Sequence, residues 1–400
     1  MSFRFVFLGL SLRSSWGNGH ATTYRSLLRP LSQRGHEVTF LERDQPFYAN
    51  NSDFDAVPWA KIHVYDSLAE LHERYEPVVR DADLVVVGSY VPDGIAVGRW
   101  ALELAPGRVA FYDIDTPVTL AALVDGTCTY LSPELVSRYA LYLSFTGGPT
   151  LDVLRRTYGA QWVRPLYCSV DPEVHYHEPT APVWDLGYLG TYSKDRQQGL
   201  ERLLVEPARL WPEGRFVIAG AQYPEGADWP ANVERLTHLR PAEHRRFYNA
   251  QRFTLNVTRK AMLAAGWSPS VRIFEAAACG TPIISDPWPG LDELLEPGSE
   301  IIVVRTTLEA LRVIRELPDA QRTKIGRAAM ARILAEHTSR HRAETLERYT
   351  RELLERRARR ARIVVNGAPV AFGHADSAEQ SSPVRTIPER DKPVGPRGEP

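Results

Sequence analysis

Four clusters in this sequence combine residue types and spacings that do chemistry. The densest runs Asn256-Val257-Thr258-Arg259, then Gly266-Trp267-Ser268-Pro269-Ser270-Val271-Arg272-Ile273-Phe274-Glu275, and on through Cys279-Gly280-Thr281-Pro282. Ser268 suits a helix N-cap and Pro269 a first turn, so Ser268 to Ser270 would present free N–H groups and a positive dipole end to an anion. Arg259 and Arg272 add charge. Glu275 falls about two turns along that helix, beside the apolar stripe of Val271, Phe274 and Ala278, and a carboxylate there needs a partner. Sugar hydroxyls are one candidate; a salt bridge to Arg272 or Arg259 is the other.

The second cluster, Leu189-Gly190-Thr191-Tyr192-Ser193-Lys194-Asp195-Arg196, is a strand ending in glycine with two cations just ahead of a helix. Lys194 and Arg196 suit a departing diphosphate without a metal, although a surface Lys and Arg at a helix start are also common. The third, Phe111-Tyr112-Asp113-Ile114-Asp115-Thr116-Pro117, ends a buried strand. Alternation puts Asp113 and Asp115 on one side, toward a cleft, where one would take a proton from an acceptor hydroxyl or bind it. Capping of the next turn by Asp115 or Thr116 is the competing role. The fourth is Ser14-Ser15-Trp16-Gly17-Asn18-Gly19-His20. Gly17 and Gly19 let a backbone approach a ligand, and His20 opens a helix in a structural or a catalytic role. With Glu42 and Asp44 downstream, this loop imitates a dinucleotide fingerprint. It is too long for the tight turn, however, and Thr22 stands where a small close-packing residue belongs.

Alternating strands and helices must position these residues. Apolar runs at 3–10, 37–41, 83–88, 108–112, 140–145 and 163–167 alternate with helical patterns, the first carrying His20, Tyr24, Leu27, Leu28 and Leu31 on one face. A second series occupies 185–189, 215–219, 252–257, 282–285 and 301–304, with helices expected over 196–210 and 270–279. The pattern predicts an α/β fold of two Rossmann-like domains, at 1–171 and 184–340, joined by a Pro-rich linker at 172–183. A cleft at the carboxyl ends of their strands is the expected site. A C-terminal helix at 341–363 and a disordered tail at 364–400 follow.

Bulk properties remove several classes. Over 400 residues the net charge is −1, which gives no reason to expect nucleic acid as a partner. Cys128, Cys168 and Cys279 lack metal-ligand spacing and read as reduced thiols in a cytoplasmic protein. No apolar run spans a membrane, and the first one reads as a buried strand rather than a leader. The run Arg356, Arg357, Arg359, Arg360, Arg362 suggests weak peripheral contact with an anionic membrane, or else a solvated helix interleaved with Glu352 and Glu355.

The run from Ser268 through Glu275 to Asp286 resembles the donor-site signature of GT-B glycosyltransferases of the GT4 type. Ser268-Pro-Ser-Val-Arg-Ile-Phe-Glu275 and Asn256-Val-Thr-Arg259 are similar to the CgeB-like, spore-maturation glycosyltransferases, as are Gly17-Asn-Gly-His20, Tyr112-Asp-Ile-Asp-Thr-Pro117 and Ser144-Phe-Thr-Gly-Gly-Pro-Thr150. The likeness covers roughly residues 3 to 350. It implies two Rossmann-like domains facing across a cleft and transfer of a sugar from a nucleotide-diphosphate donor, held chiefly by the C-terminal domain, to a glycan, lipid or protein acceptor. It further implies no metal, no cofactor, and retention of anomeric configuration. By position Glu275 would hold the donor ribose, and Arg196, with Lys194 in reserve, the diphosphate. Asp115 is the acceptor-side choice. Trp267 stands where the broader group has a sugar-contacting Glu, and Thr191 where many members have Arg. That departure keeps open a non-catalytic nucleotide-sugar-binding protein, and a nucleotide-sugar epimerase shares the fold.

Overall fold

The computed structural model describes residues 2–16, 18–53 and 57–365, with side chains described through residue 359. The tail expected at 364–400 lies outside the described residues from 366 onward, while residues 364 and 365 still belong to the C-terminal helix; Gly17 of the glycine loop also lies outside them. So do the side chains of Arg360 and Arg362 from the basic run.

Two parallel sheets form the frame. The first holds β1 (Arg4–Gly9), β2 (Glu37–Arg43), β3 (Lys61–Tyr65), β4 (Leu84–Gly88), β5 (Val109–Asp113), β6 (Leu141–Ser144) and β7 (Val163–Pro165). Its order is β3-β2-β1-β4-β5-β6-β7. The second holds β8 (Trp184–Leu189), β9 (Phe216–Ala219), β10 (Val233–Leu236), β11 (Gln251–Asn256), β12 (Ile283–Ser285) and β13 (Ile302–Val303), in the order β10-β9-β8-β11-β12-β13. Each sheet winds outward in both directions from its first strand. The reversals fall between β1 and β4 and between β8 and β11, and the crevice beyond the carboxyl ends of such strands is where open α/β sheets bind ligands.

The central strands are legible because they are buried on both faces: every residue of Leu84–Gly88 and Val109–Asp113 is buried. β3 and β10 escaped the sequence reading for the opposite reason. They are edge strands with largely half-exposed residues, Lys61-Ile-His-Val-Tyr and Val233-Glu-Arg-Leu, which offer no apolar run. The helix expected over 196–210 is interrupted by a π turn at Glu201–Val205. Pro207 has no N–H to donate to Leu203 and its ring crowds that carbonyl, so the widened turn accommodates it.

The C-terminal helix starts at Ser339, two residues before the sequence-based boundary, and returns to the first sheet. Buried Arg342 donates to the carbonyls of Tyr167 (3.1 Å) and Cys168 (3.2 Å), and Tyr349 packs edge-on against Trp162 at 6.0 Å. One apolar cluster consequently runs from Tyr112 and Leu166 through Leu346 to Ile273 and Phe274, tying both sheets together. Arg356 of the basic run lies over the Trp162 ring at 4.4 Å.

Candidate functional site

The strand ends enclose a cavity of about 570 Å³. Segments following β1, β4, β5, β8, β9 and β11 all contribute to its wall, as does the helix Val271–Ala278.

Its floor is cationic. Arg272, 5% exposed, donates from Nε to the Leu189 carbonyl at 2.6 Å and from Nη1 to Asn256 Oδ1 at 3.0 Å and Ser270 Oγ at 3.3 Å. Its guanidinium also lies over the Tyr188 ring. Arg196 donates to the Thr191 carbonyl at 2.7 Å, while its Nε is buried without a partner. Neither guanidinium forms an ion pair with a described carboxylate. Burial lowers the Arg196 pKa, and the charges of Arg272 and Arg259 push the same way. Arg259 stands 3.6 Å from Asp195 and 3.9 Å from Asp115, bridging the two halves of the cavity. Two glycines keep this floor open. A Cβ on Gly190 would come within 2.8 Å of Arg272 Nη2, and one on Gly220 (φ +149°) within 2.1 Å of the Gly190 carbonyl.

The adjoining helix begins at Val271, with Ser270 at the N-cap and no side-chain capping bond. This corrects the placement of the cap at Ser268. That hydroxyl is buried and taken by Thr146 Oγ1 at 2.9 Å, and Ser268 does not line the cavity. Its neighbour Trp267 also turns away. The indole is wedged against Gly148 and Gly290, and its carbonyl accepts from Gly147 N at 2.9 Å. Trp267 thus joins the two domains and does not line the cavity.

Glu275 makes neither of the arginine salt bridges considered from the sequence. It accepts from Tyr248 Oη at 3.0 Å, with His175 Nε2 3.8 Å from one carboxylate oxygen and His244 Nδ1 3.7 Å from the other. Burial opposes its charge, but His175, His244 and Tyr248 outweigh that and hold its pKa at about 2. It is ionised at neutral pH. Among the described residues, His175, His244 and Glu275 also bring three metal-capable atoms within 4.8 Å of one another.

Opposite the cations lie His20, Tyr90 and Asp115. Asp115 occupies the N-cap position of the helix Thr116–Val124 without capping it. Its carboxylate instead accepts from Tyr90 Oη at 3.3 Å and faces Arg259. Burial raises its pKa, with Arg259 and Tyr90 working against that rise. His20 packs edge-on against Tyr90 at 5.2 Å with its Nδ1 buried and unpartnered, and burial pushes its pKa down to about 4. Asp113 departs from the sequence reading, which put it beside Asp115 facing the cleft. β5 ends at Asp113, so the turn through Ile114 sends the two carboxylates apart. Asp113 is fully buried and accepts from Tyr142 Oη and Thr119 Oγ1, each at 2.7 Å.

Gly19, His20, Asp115, Arg196, Arg259, Ser270, Arg272 and Glu275 therefore line one cavity, whereas Asp113, Lys194 and Ser268 do not. Lys194 is exposed at the start of its helix. The fingerprint acids are committed elsewhere: Glu42 accepts from Leu12 N at 2.5 Å and pairs with Arg13, which also holds Asp44 at 3.1 Å. Sequence reasoning missed Tyr90, His175, His244 and Tyr248. Only the one-turn spacing of His244 and Tyr248 marked a shared helix face.

Residues 196–348 match the model of a family described as glycosyl transferase-like. No curated protein matches the chain. Among solved structures, the sucrose-phosphate synthase of Thermosynechococcus elongatus superposes with a TM-score of 0.64 at 15% identity, covering 88% of this chain and 99% of that one. Anabaena HepE in complex with UDP-glucose gives 0.61 at 15% identity, covering 88% and 100%. An alpha-glucosyltransferase in complex with UDP-glucose and DNA gives 0.66 at 16% identity, again covering 88% and 100%. At such identities the likeness speaks for architecture. The chain has the GT-B fold, and its segment 196–348, which carries Arg196, Arg259, Arg272 and Glu275, matches the glycosyl transferase-like family.

Proposed function

We propose that this protein is a glycosyltransferase that moves a sugar from a nucleotide-diphosphate donor to an acceptor hydroxyl, with retention of anomeric configuration. One observation carries the reading: Arg196 and Arg272 hold positive charge at the cavity floor without carboxylate partners, beside an uncapped helix start. Buried cations repelling one another are costly until an anion arrives. A diphosphate answers that charge, and UDP-glucose is the ligand in two of the matched structures.

In this reading Arg196, Arg259, Arg272 and the N–H groups at Ser270 receive the diphosphate. They act most strongly on the charge that develops as the glycosidic bond to it breaks, which is where stabilisation accelerates a reaction. Glu275 accepts hydrogen bonds from the donor ribose. The acceptor hydroxyl lies on the opposite wall, where Asp115 takes or orients its proton and neutral His20 packs behind Tyr90. Closure of the two domains excludes water and aligns the reactants.

A second reading, nucleotide-sugar binding without turnover, draws support from Trp267, which occupies the position of a sugar-contacting Glu and is wedged between domains. A thermal-shift screen of nucleotide sugars, followed by assay of free nucleoside diphosphate with an acceptor panel, separates the two. The transferase reading predicts a stabilising donor whose shift is lost in Arg196→Ala and Glu275→Ala, and acceptor-dependent diphosphate release. Binding without release across the panel would favour the second reading. Sugar isomerisation without any acceptor would identify an epimerase.

A further inference from the structure

Three side chains able to ligate a metal converge at the edge of the cavity from separate segments. His175 lies in the segment joining the two sheets, where its backbone N–H donates to the Asp171 carbonyl at 2.9 Å. His244 sits one turn ahead of Tyr248 on the helix Pro241–Asn249, and Glu275 lies on the helix Val271–Ala278 packed against it. His175 Nε2 and His244 Nδ1 are both buried without a hydrogen-bond partner among the described residues. Each faces a different Glu275 oxygen, at 3.8 and 3.7 Å, and His175 is only 4% exposed. The three ligand atoms lie within 4.8 Å of one another.

Those separations are too long for hydrogen bonds, and a charge-assisted bond would draw in to about 2.7–2.9 Å. Protons on the rings attract the Glu275 carboxylate without closing the gaps. Around a tetrahedral Zn²⁺, bonds of about 2.0–2.2 Å set ligand atoms roughly 3.3–3.5 Å apart, so each imidazole–carboxylate gap closes by about 0.5 Å or less. The groups behind the ligands fit a metal as well. His244 Nε2 stands 3.3 Å from the Leu239 carbonyl, and Tyr248 Oη donates to Glu275 at 3.0 Å. Metal-bound imidazoles commonly donate their other N–H to a carbonyl, and metal-bound carboxylates accept from a neighbour. His244, Tyr248 and Glu275 line the cavity and His175 does not, so a further coordination position faces the cavity.

We propose that His175 Nε2, His244 Nδ1 and the Glu275 carboxylate form a Zn²⁺ site with one position open to the cavity. Two imidazoles and one carboxylate are a ligand set that suits Zn²⁺ and disfavours Mg²⁺ and Ca²⁺. The cation takes over from any proton that holds the imidazoles to Glu275, and that proton leaves on binding. The metal has no part in the proposed sugar transfer. It occupies the carboxylate that the donor reading assigns to the ribose, so Zn²⁺ and the nucleotide exclude each other. That consequence, unlike the site itself, rests on the donor reading.

The test is calorimetric titration of the full chain, free of any histidine tag, with Zn²⁺ for the wild type, His175→Ala, His244→Ala and Tyr248→Phe, then with UDP in the presence and absence of Zn²⁺. The wild type takes up one equivalent with a Kd below about 10 μM. His175→Ala and His244→Ala bind it at least roughly 100-fold more weakly, and Tyr248→Phe, which keeps all three ligands, roughly 10-fold more weakly. Co²⁺ in place of Zn²⁺ gives the wild type the intense visible absorption of a four-coordinate N,O site, a readout that needs no variant to fold. Saturating Zn²⁺ weakens UDP binding at least about tenfold in the wild type and leaves it unchanged in His175→Ala. No uptake by the wild type up to about 100 μM Zn²⁺ overturns the proposal. So does equal uptake by the wild type and both alanine variants, or the weak absorption of six-coordinate Co²⁺. Zn²⁺ held by these residues with UDP affinity unchanged overturns the exclusion. Absence of UDP binding to the metal-free protein removes the nucleotide reading, while Zn²⁺ uptake that depends on His175 and His244 still upholds the metal site.

Discussion

Replacing Arg196 with Met separates a binding cation from a structural one. In the free protein the substitution removes the bond to the Thr191 carbonyl, a loss of about 1 kcal/mol. It also removes a guanidinium whose Nε is buried without a partner and whose charge is opposed by Arg272 and Arg259. These effects have opposite sign, and Met fills much of the same apolar volume, so stability should change by no more than about 1 kcal/mol. For a chain of this size, with an unfolding entropy of about 2 cal/mol/K per residue, that is a shift of roughly 1 °C in Tm. Nucleotide binding behaves differently, because a charge-assisted bond to a diphosphate oxygen contributes about 1.5–3 kcal/mol, or roughly 10- to 150-fold in Kd. Scanning calorimetry of the free protein and titration with UDP measure the two quantities on one sample. A Tm fall beyond roughly 4 °C with UDP affinity intact would show Arg196 to be a structural cation and refute the reasoning.

Other perturbations test the remaining parts of the site. Asp115→Asn should lower kcat by roughly 10²- to 10³-fold and change donor KM far less, since Asp115 meets the donor side only through Arg259 at 3.9 Å. Gly190→Ala places a Cβ 2.8 Å from Arg272 Nη2, so it should weaken UDP binding at least about tenfold while the fold, followed by circular dichroism, is retained. Gly148→Ala combines a Cβ 2.4 Å from the Trp267 ring with a φ of +55°, and should destabilise by roughly 2–4 kcal/mol in denaturant titration. Adding Trp267→Ala should relieve the clash but not the backbone penalty. Burial raises the Asp113 pKa from 3.8 to about 6, so its contribution to stability is complete below pH 3.8 and is lost as pH rises through 6. Asp113→Asn should therefore match the wild type near pH 4 and exceed it by up to roughly 3 kcal/mol at pH 8, read from paired unfolding curves.

The strands that carry the site were legible because central parallel strands must be apolar on both faces. Their order along the chain then located the cleft before any side chain was placed. Arg196, Arg272 and Glu275 were likewise readable, since a glycine-ended strand and a Ser-Pro helix start constrain where nearby charges point. Partnerships were harder to foresee. Nothing in the spacing of Asp113 and Asp115 says that the strand stops at the first of them, and that single turn sends one into the core and the other into the cavity. Ser268 has the residue type of an N-cap, yet a tertiary contact from Thr146 takes its hydroxyl and moves the helix start to Val271. His175, His244 and Tyr248 reach Glu275 from the linker and from another helix, 27 to 100 positions away, and no local pattern records such a meeting.

A crystal structure of the protein with UDP bound tests the central claim most directly. The account predicts the diphosphate within hydrogen-bond reach of Arg196, Arg272 and the backbone N–H groups after Ser270, with the ribose against Glu275. A nucleotide seated on the turn before His20, with none of those contacts, would contradict it.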